Sequence, residues 1–337
     1  MSLYFKMFAG CQIVKGFTRS IIYDLQRGKF DFVPNELADI LQMQNNSSKN
    51  DILEFYGPDN AETINEYFDF LTVNEYGFWC QSKNEHDLFP DIDLQWDSPS
   101  IVTNAILDWS DESSYSFEKV FFQLESLGCK DVQLRVFSKV SLSFFGNVLD
   151  LLIKSRIKSV SIITKYTDDI SEGQYLDLLR RHLRVNEIIV YGHEDKKINT
   201  GLPYTHLQYV SDTINHSSHC GIVHPNYFSV NLEMFTESNL YNSCLNRKIS
   251  ICSDGTIKNC PSMNESYGHV NNMPLEQVAQ TTKFREIWSI NKNQINVCKD
   301  CEFRHMCTDC RAFIADVTDS YSKPLRCKYD PYTATWH

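Results

Sequence analysis

The run Val132-Gln133-Leu134-Arg135-Val136-Phe137, the segment Leu142 to Ile153 and the run Val160-Ser161-Ile162-Ile163-Thr164 decide the fold class. A short apolar run, an amphipathic segment and a second apolar run mark two parallel strands joined by a crossover helix. The pattern repeats in both directions. Upstream, Ile101 to Leu107 reads as a strand, and Phe117 to Leu127 as a helix with Val120, Phe121, Leu124 and Leu127 on one side. Downstream, Gln174 to Leu183 reads as a helix, with Glu187 to Tyr191 and Leu207 to Val210 as strands. These strands are too few for an eight-fold barrel. They predict an incomplete (β/α) barrel or an open parallel sheet, and Tyr227 to Leu232 is expected as a final strand.

The first part of the chain reads differently. Thr18 to Leu25 is a β-rich run, Gln26-Arg27-Gly28-Lys29 a turn, and Phe30 to Val33 a returning strand. Pro34 precedes a helical segment, Glu36 to Leu41. Asn45-Asn46-Ser47-Ser48 is a polar loop, and Asn50 is expected to cap a second helix, Asp51 to Phe55. Asn60 to Leu71 gives a third helix, with Ile64, Tyr67, Phe68 and Leu71 on one face, before a closing strand at Gly77 to Cys80. A hairpin followed by three helices is a winged-helix outline. Residues 83–98, acidic and followed by Pro99, form a linker.

The chain of 337 residues has 42% hydrophobic and 13% aromatic residues, the composition of a folded protein. The net charge of −11 argues against broad binding to nucleic acid or anionic lipid. No run is long enough for a membrane helix, and the N-terminus lacks a signal-peptide pattern, so a cytoplasmic location is expected.

Twelve cysteines are unevenly placed. Cys11, Cys80, Cys129 and Cys220 are scattered, and the first three are expected as small buried hydrophobes. Eight others lie between Cys244 and Cys327. Seven of these form the pattern Cys244-x15-Cys260, then Cys298-x2-Cys301-x5-Cys307-x2-Cys310, then Cys327. In a reducing compartment such a cluster reads as a metal site. A Cys-x2-Cys turn brings two thiolates to one centre while backbone N–H groups face the sulfurs. Seven thiolates exceed the need of one centre. On spacing alone, zinc and iron–sulfur clusters both remain open.

This segment resembles the SPASM domain, the C-terminal extension of many radical-SAM peptide-modifying enzymes. That family's spacing is matched by Cys244, Gly255, Cys260, Cys298, Cys301, Cys307, Cys310 and Cys327, except that two residues rather than three separate Cys307 from Cys310. Ile249-Ser250-Ile251, Cys260-Pro261 and Tyr267-Gly268-His269-Val270 match the flanks. The resemblance implies two [4Fe–4S] clusters: an inner one on Cys244, Cys260 and Cys310, and an outer one on Cys298, Cys301, Cys307 and Cys327. The family's usual extra cysteine before Cys244 is replaced by Glu237-Ser238-Asn239-Leu240. That leaves an open iron, a non-cysteine ligand, or a rescue by Cys252 or Cys220.

No Cys-x3-Cys-x2-Cys motif for cleaving S-adenosylmethionine occurs, and the loop after the first barrel strand, Asp108 to Ser114, has no cysteine. The whole resembles the SPASM-domain peptide maturases of grasp-with-spasm systems, which work beside an ATP-grasp ligase on a precursor peptide. The expectation is an α/β chain of three parts. Residues 1–90 would form a winged-helix-like recognition domain for the leader peptide, with its groove between helix 60–71 and the edge of Thr18 to Leu25 or Phe30 to Val33. Residues 91–235 would form a degenerate radical-SAM-like partial barrel, and residues 236–337 the SPASM iron–sulfur module. A zinc-stabilised adaptor and an active SPASM-cluster redox enzyme are the alternatives; enzymatic activity is left open. His216, His219, Cys220 and His224 read as a polar loop or a metal cluster, and Asp108, Asp111 and Glu112 as an acidic loop or catalytic groups.

Overall fold

The structure is a computed structural model and describes residues 2–43, 47–214 and 216–337; Asn45 and Asn46 of the expected polar loop lie outside the described residues. The chain begins with β1 (Tyr4–Met7), β2 (Cys11–Lys15), β3 (Ser20–Asp24) and β4 (Lys29–Val33). Helices α1 (Asn35–Met43), α2 (Lys49–Tyr56) and α3 (Ala61–Val73) follow, then β5 (Gly77–Cys80) and a one-turn helix α4 (Lys83–His86). Strands β2, β3 and β4 form an antiparallel sheet in that order, and β1 pairs with β5.

Ser48, not Asn50, caps α2. Its hydroxyl accepts from the Asp51 N–H, and the Asp51 carboxylate accepts from the Ser48 N–H, a reciprocal capping box. Strand β3 is central, so the edge once expected at Thr18 to Leu25 is closed on both sides. Every residue of β3 is buried because the sheet is covered on both faces. Ile22 packs with Leu37, Ile64 and Phe68. Ile21 and Tyr23 pack the other way, with Phe235, Phe303, Met306 and Tyr329. A strand buried on both faces reads as a continuous apolar run, which is why this one was legible. Each such side chain contributes about 1.5–3 kcal/mol on burial, enough to hold the N-terminal sheet on the C-terminal segment.

The second layer system is a sheet of eight strands. Strand β6 (Asn104–Trp109) is followed by α5 (Phe117–Ser126), β7 (Asp131–Val136), α6 (Leu142–Asp150), β8 (Ser159–Lys165), α7 (Glu172–Arg181) and β9 (Val185–Tyr191). A short β10 (Lys196–Ile198) and β11 (His206–Val210) close that edge. Helix α8 (Leu232–Leu240) leads to β12 (Lys248–Ile251) and β13 (Ile257–Lys258). The order is β10-β11-β9-β8-β7-β6-β12-β13, parallel from β11 to β12 and antiparallel at both ends. Strand β12 comes from the cysteine-bearing segment and pairs with β6, so the sheet continues across the expected boundary at residue 235.

The strand expected over Tyr227 to Leu232 does not form. A single 3-10 turn covers Pro225–Tyr227, and Asn231 caps α8 by accepting from the Met234 N–H. Phe228 and Val230 are apolar because they pack beside Phe235 and Phe303, not because they pair. Short helices α9 (Leu275–Ala279) and α10 (Thr282–Arg285) and a terminal hairpin, β14 (Tyr329–Asp330) with β15 (Thr335–Trp336), complete the chain. Among the described residues, no helix is long and apolar enough to cross a membrane.

Candidate metal centre

All twelve cysteines are free of disulfides. Cys11, Cys80 and Cys129 are buried in apolar cores, as expected. The rest sort into two groups and one outlier.

The inner group lines a cavity of about 280 Å³ whose walls carry Cys220, Cys244, Cys260 and Cys310, with Ile222, Val223 and Leu245. Cys260 follows β13, after a turn that needs Gly255. That glycine has φ +86° and backs onto the His269 ring, whose Nε2–H donates to the Asp254 carbonyl at 2.8 Å. Burial and the neighbouring Cys244 push the Cys260 thiol up to about 12. Lys248, at the start of β12, donates to Cys244 Sγ at 3.4 Å. Burial pulls its ammonium down, but Cys244, Cys260 and Cys220 outweigh that and hold it charged, above its ordinary value.

The outer group is Cys298, Cys301, Cys307 and Cys327. Cys298 acts electrostatically on Cys301, and both Cys307 and Cys327 act on Cys298. Burial is the largest cause of the raised Cys298 thiol, at about 12. Cys301 lies well above the ordinary thiol value through burial and the adjacent Glu302. Here too a buried lysine faces the sulfurs. Lys292 is 4% exposed and donates to the Thr308 carbonyl at 3.2 Å. Cys307, Cys298 and Asp309 overcome the burial penalty and raise its ammonium.

The Cys307-Thr308-Asp309-Cys310 turn divides between the two groups, Cys307 to the outer and Cys310 to the inner. Asp309 is fully buried between them. It accepts from Arg311 Nη2 at 2.7 Å and Asn242 Nδ2 at 2.6 Å, and its N–H donates to Ser243 Oγ at 3.0 Å. Neither Asp309 nor the two lysines was singled out from the sequence. The position of Asp309 inside a Cys-x2-Cys turn was the one available signal.

Among the described residues, no group of three or more His, Cys, Asp or Glu side chains is arranged around a single ion. One tetrahedral zinc would hold its thiolates about 3.7 Å apart, from Zn–S bonds near 2.3 Å. A cluster of four irons separates its thiolates further, one to each iron. The donor set is compatible with such a group: Cys260, Cys298, Cys307 and Cys310 are buried, the inner cysteines line a cavity, and one lysine lies beside each nest.

Cys252 is the outlier. It lies just past β12, beside Asp108, with its thiol pushed up to about 11 by burial and that carboxylate. Asp108, at the C-terminal end of the sheet, is itself buried. It accepts from Arg135 Nε at 2.6 Å and Nη2 at 2.7 Å, a two-pronged pair, while Asp111 and Glu112 are exposed. His216 and His224 use Nδ1 to accept loop N–H groups from Ser218 and Asn226, each at 3.2 Å, which fits the loop reading.

The N-terminal sheet touches the outer nest. Arg19 Nε donates to the buried Glu302 carboxylate at 2.8 Å, and Tyr23 Oη donates to the Glu302 carbonyl at 2.7 Å. Tyr329 Oη donates to the same carboxylate at 2.5 Å. The Phe17 N–H donates to the Asp300 carbonyl at 2.8 Å, and Arg304 Nη1 donates to the Lys15 carbonyl at 2.8 Å.

Glu237, in the stretch where the SPASM pattern has its extra cysteine, does not face the inner cavity. It accepts from Asn246 Nδ2 at 2.8 Å. Burial raises its carboxyl to about 7 from an ordinary value of 4.5. A raised carboxyl contributes most below its ordinary value, and that contribution is lost as pH climbs through the folded value. Stability therefore falls between pH 4.5 and about 7 on this account. Glu237→Gln removes that slope and is expected to be more stable than wild type at pH 8 by about 3 kcal/mol, with little difference at pH 4.5. Urea midpoints at the two pH values check this.

No protein family and no curated protein matches the chain. Among solved structures, it is similar to Streptococcus suis SuiB bound to precursor peptide SuiA, with TM-score 0.41 and 9% identity, over 95% of this chain and 98% of that one. For SuiB bound to S-adenosylmethionine the TM-score is 0.32 and the identity 11%, over 91% and 96%.

Proposed function

We propose that this chain is a maturation protein for a ribosomally made peptide, holding two iron–sulfur clusters in its C-terminal cysteine groups and working beside an ATP-grasp ligase in the cytoplasm. The observation that carries the proposal is the sorting of the cysteines into two separate nests on a spacing that resembles the SPASM pattern. Cys244, Cys260 and Cys310 would hold the inner cluster, and Cys298, Cys301, Cys307 and Cys327 the outer. Bound clusters supply one-electron transfer. The chain's own residues set the conditions for it. Lys248 and Lys292 would offset the negative charge of thiolate-bound clusters.

On this reading residues 1–90 form a winged-helix-like recognition unit for the leader peptide, and β4 is its receptor edge. Among the described residues strand β4 has no second neighbour in its sheet, and it presents Phe32, 45% exposed, beneath the Arg19 guanidinium. An added strand would gain backbone hydrogen bonds there. Arg19 also reaches Glu302, next to Cys301, so a peptide on this edge would lie close to the outer nest. The chain does not cleave S-adenosylmethionine on this reading, because the end of β6 carries the Asp108–Arg135 pair rather than three cysteines.

Anaerobic purification tests the reading. A brown protein with about eight irons supports it; a colourless protein with two zincs overturns it in favour of an adaptor. Release of 5′-deoxyadenosine on incubation with S-adenosylmethionine and a reductant would overturn the degenerate-barrel part. Fluorescence anisotropy with a leader peptide encoded beside this chain is expected to show binding that weakens about tenfold or more in Phe32→Asp.

A further inference from the structure

We infer that Cys220 is the fourth sulfur ligand of the inner nest. This deepens the iron–sulfur reading and rests on it. Three cysteines of the spacing pattern, Cys244, Cys260 and Cys310, line the inner cavity, and Cys220 is the fourth cysteine on its wall. It comes from a loop 24 residues before Cys244, where the spacing pattern has no position for it.

The loop is built to hold it there. Gly221 follows in the left-handed region, with φ +84°, and a Cβ at that position would lie 2.8 Å from Cys310 Sγ. Backbone at residue 221 therefore packs directly against a sulfur of the nest, an approach only glycine permits. The loop is tied beside the inner nest at one end and beside the outer nest at the other. Ser262, two residues past Cys260, donates its hydroxyl to the Ser217 carbonyl at 2.7 Å. Arg326, next to the outer-nest Cys327, donates to the Cys220 carbonyl and lies over the Phe313 ring, 4.2 Å from its centre. The other candidate, Cys252, is turned toward Asp108 and Arg135 at the sheet's end and does not line the cavity. Four thiolates would leave no open iron at the inner site, so a cluster held there would supply electron transfer rather than a substrate site at iron.

The experiment compares wild type, Cys220→Ser and Cys252→Ser, each prepared anaerobically and then oxidised with ferricyanide, with iron counted per chain. Wild type and Cys252→Ser are expected to keep about eight irons. Cys220→Ser is expected to lose between one and four of them, since an iron without its thiolate leaves on oxidation. A second readout is independent of variant folding. In loaded wild type, Cys220 is expected to resist iodoacetamide, as seen by peptide mass spectrometry, and to alkylate once iron is chelated, because its free thiol is exposed. Full iron in oxidised Cys220→Ser, or rapid alkylation of Cys220 in the loaded protein, overturns the assignment and leaves the two-cluster reading intact. Wild type without iron overturns the two-cluster reading itself.

Discussion

Asp309→Ala is expected to lower the stability of the protein by about 3–5 kcal/mol, among the largest effects of any single substitution in it. Among the described residues Asp309 is the carboxylate that pairs with Arg311, and both side chains are essentially buried, at 0% and 2% exposure. Removing the carboxylate leaves a guanidinium out of water with only two carbonyl acceptors, those of Ser320 and Ser322. It also strips Asn242 Nδ2 of a 2.6 Å acceptor. Asn242 in turn accepts from the Cys244 and Leu245 N–H groups, at 3.0 and 2.9 Å. The damage therefore reaches Cys244 in the inner nest as well as Cys307 and Cys310 on either side. Urea unfolding checks the stability loss. Asp309→Ala with Arg311→Met removes the stranded charge and is expected to recover more than half of it. A double variant as unstable as the single one would mean that the backbone turn, not the ion pair, carries the energy.

The sequence made some parts of this molecule legible and hid others for physical reasons. The βαβ core was readable because its strands carry apolar residues at alternate positions on one buried face, Val132, Leu134 and Val136 or Val160 and Ile162, and their helices keep a 3.6-residue period. Strands β6 to β9 and β11 fall within a few residues of their expected places. Strand β2, Cys11 to Lys15, escaped because it mixes buried and half-exposed residues over five positions. The pairing of β12 with β6 joins residues 248–251 to residues 104–107, and no local pattern encodes a partner so distant. The eight-stranded sheet is for that reason larger than expected. At the nests, cysteine spacing named seven sulfurs because a Cys-x2-Cys turn is local. Cys220 reaches the same cavity by tertiary folding alone, and the sequence left it level with Cys252. Lys248 and Lys292 look like any surface lysine until the fold sets them, one half-buried and one buried, beside cysteines.

Arg135→Met is expected to cost about 3–5 kcal/mol, and Asp108→Leu with Arg135→Met is expected to return to within about 1 kcal/mol of wild type. The reasoning is one of desolvation. Both side chains of the pair are 6% exposed, and burial pulls the Asp108 carboxyl above its ordinary value even with Arg135 opposing it. A lone carboxylate left there has no cation to replace the guanidinium, whereas two apolar side chains of similar bulk need none. The Phe137 ring, 5.7 Å from the Arg135 guanidinium, and Cys252 border the pair, and Tyr115 keeps its 2.6 Å bond to the Asp108 backbone carbonyl, which the substitution does not touch. The double variant also decides between the two readings of the acidic loop. A carboxylate whose two oxygens each accept a short bond from one arginine is held in place by it and poorly placed to move a proton. On the proposed function, if Asp108 only holds the end of the sheet, the double variant supports peptide maturation at the wild-type rate. If maturation stops in the double variant while urea midpoint and iron content stay at wild-type values, Asp108 or Arg135 takes part in the chemistry and the barrel end is an active site.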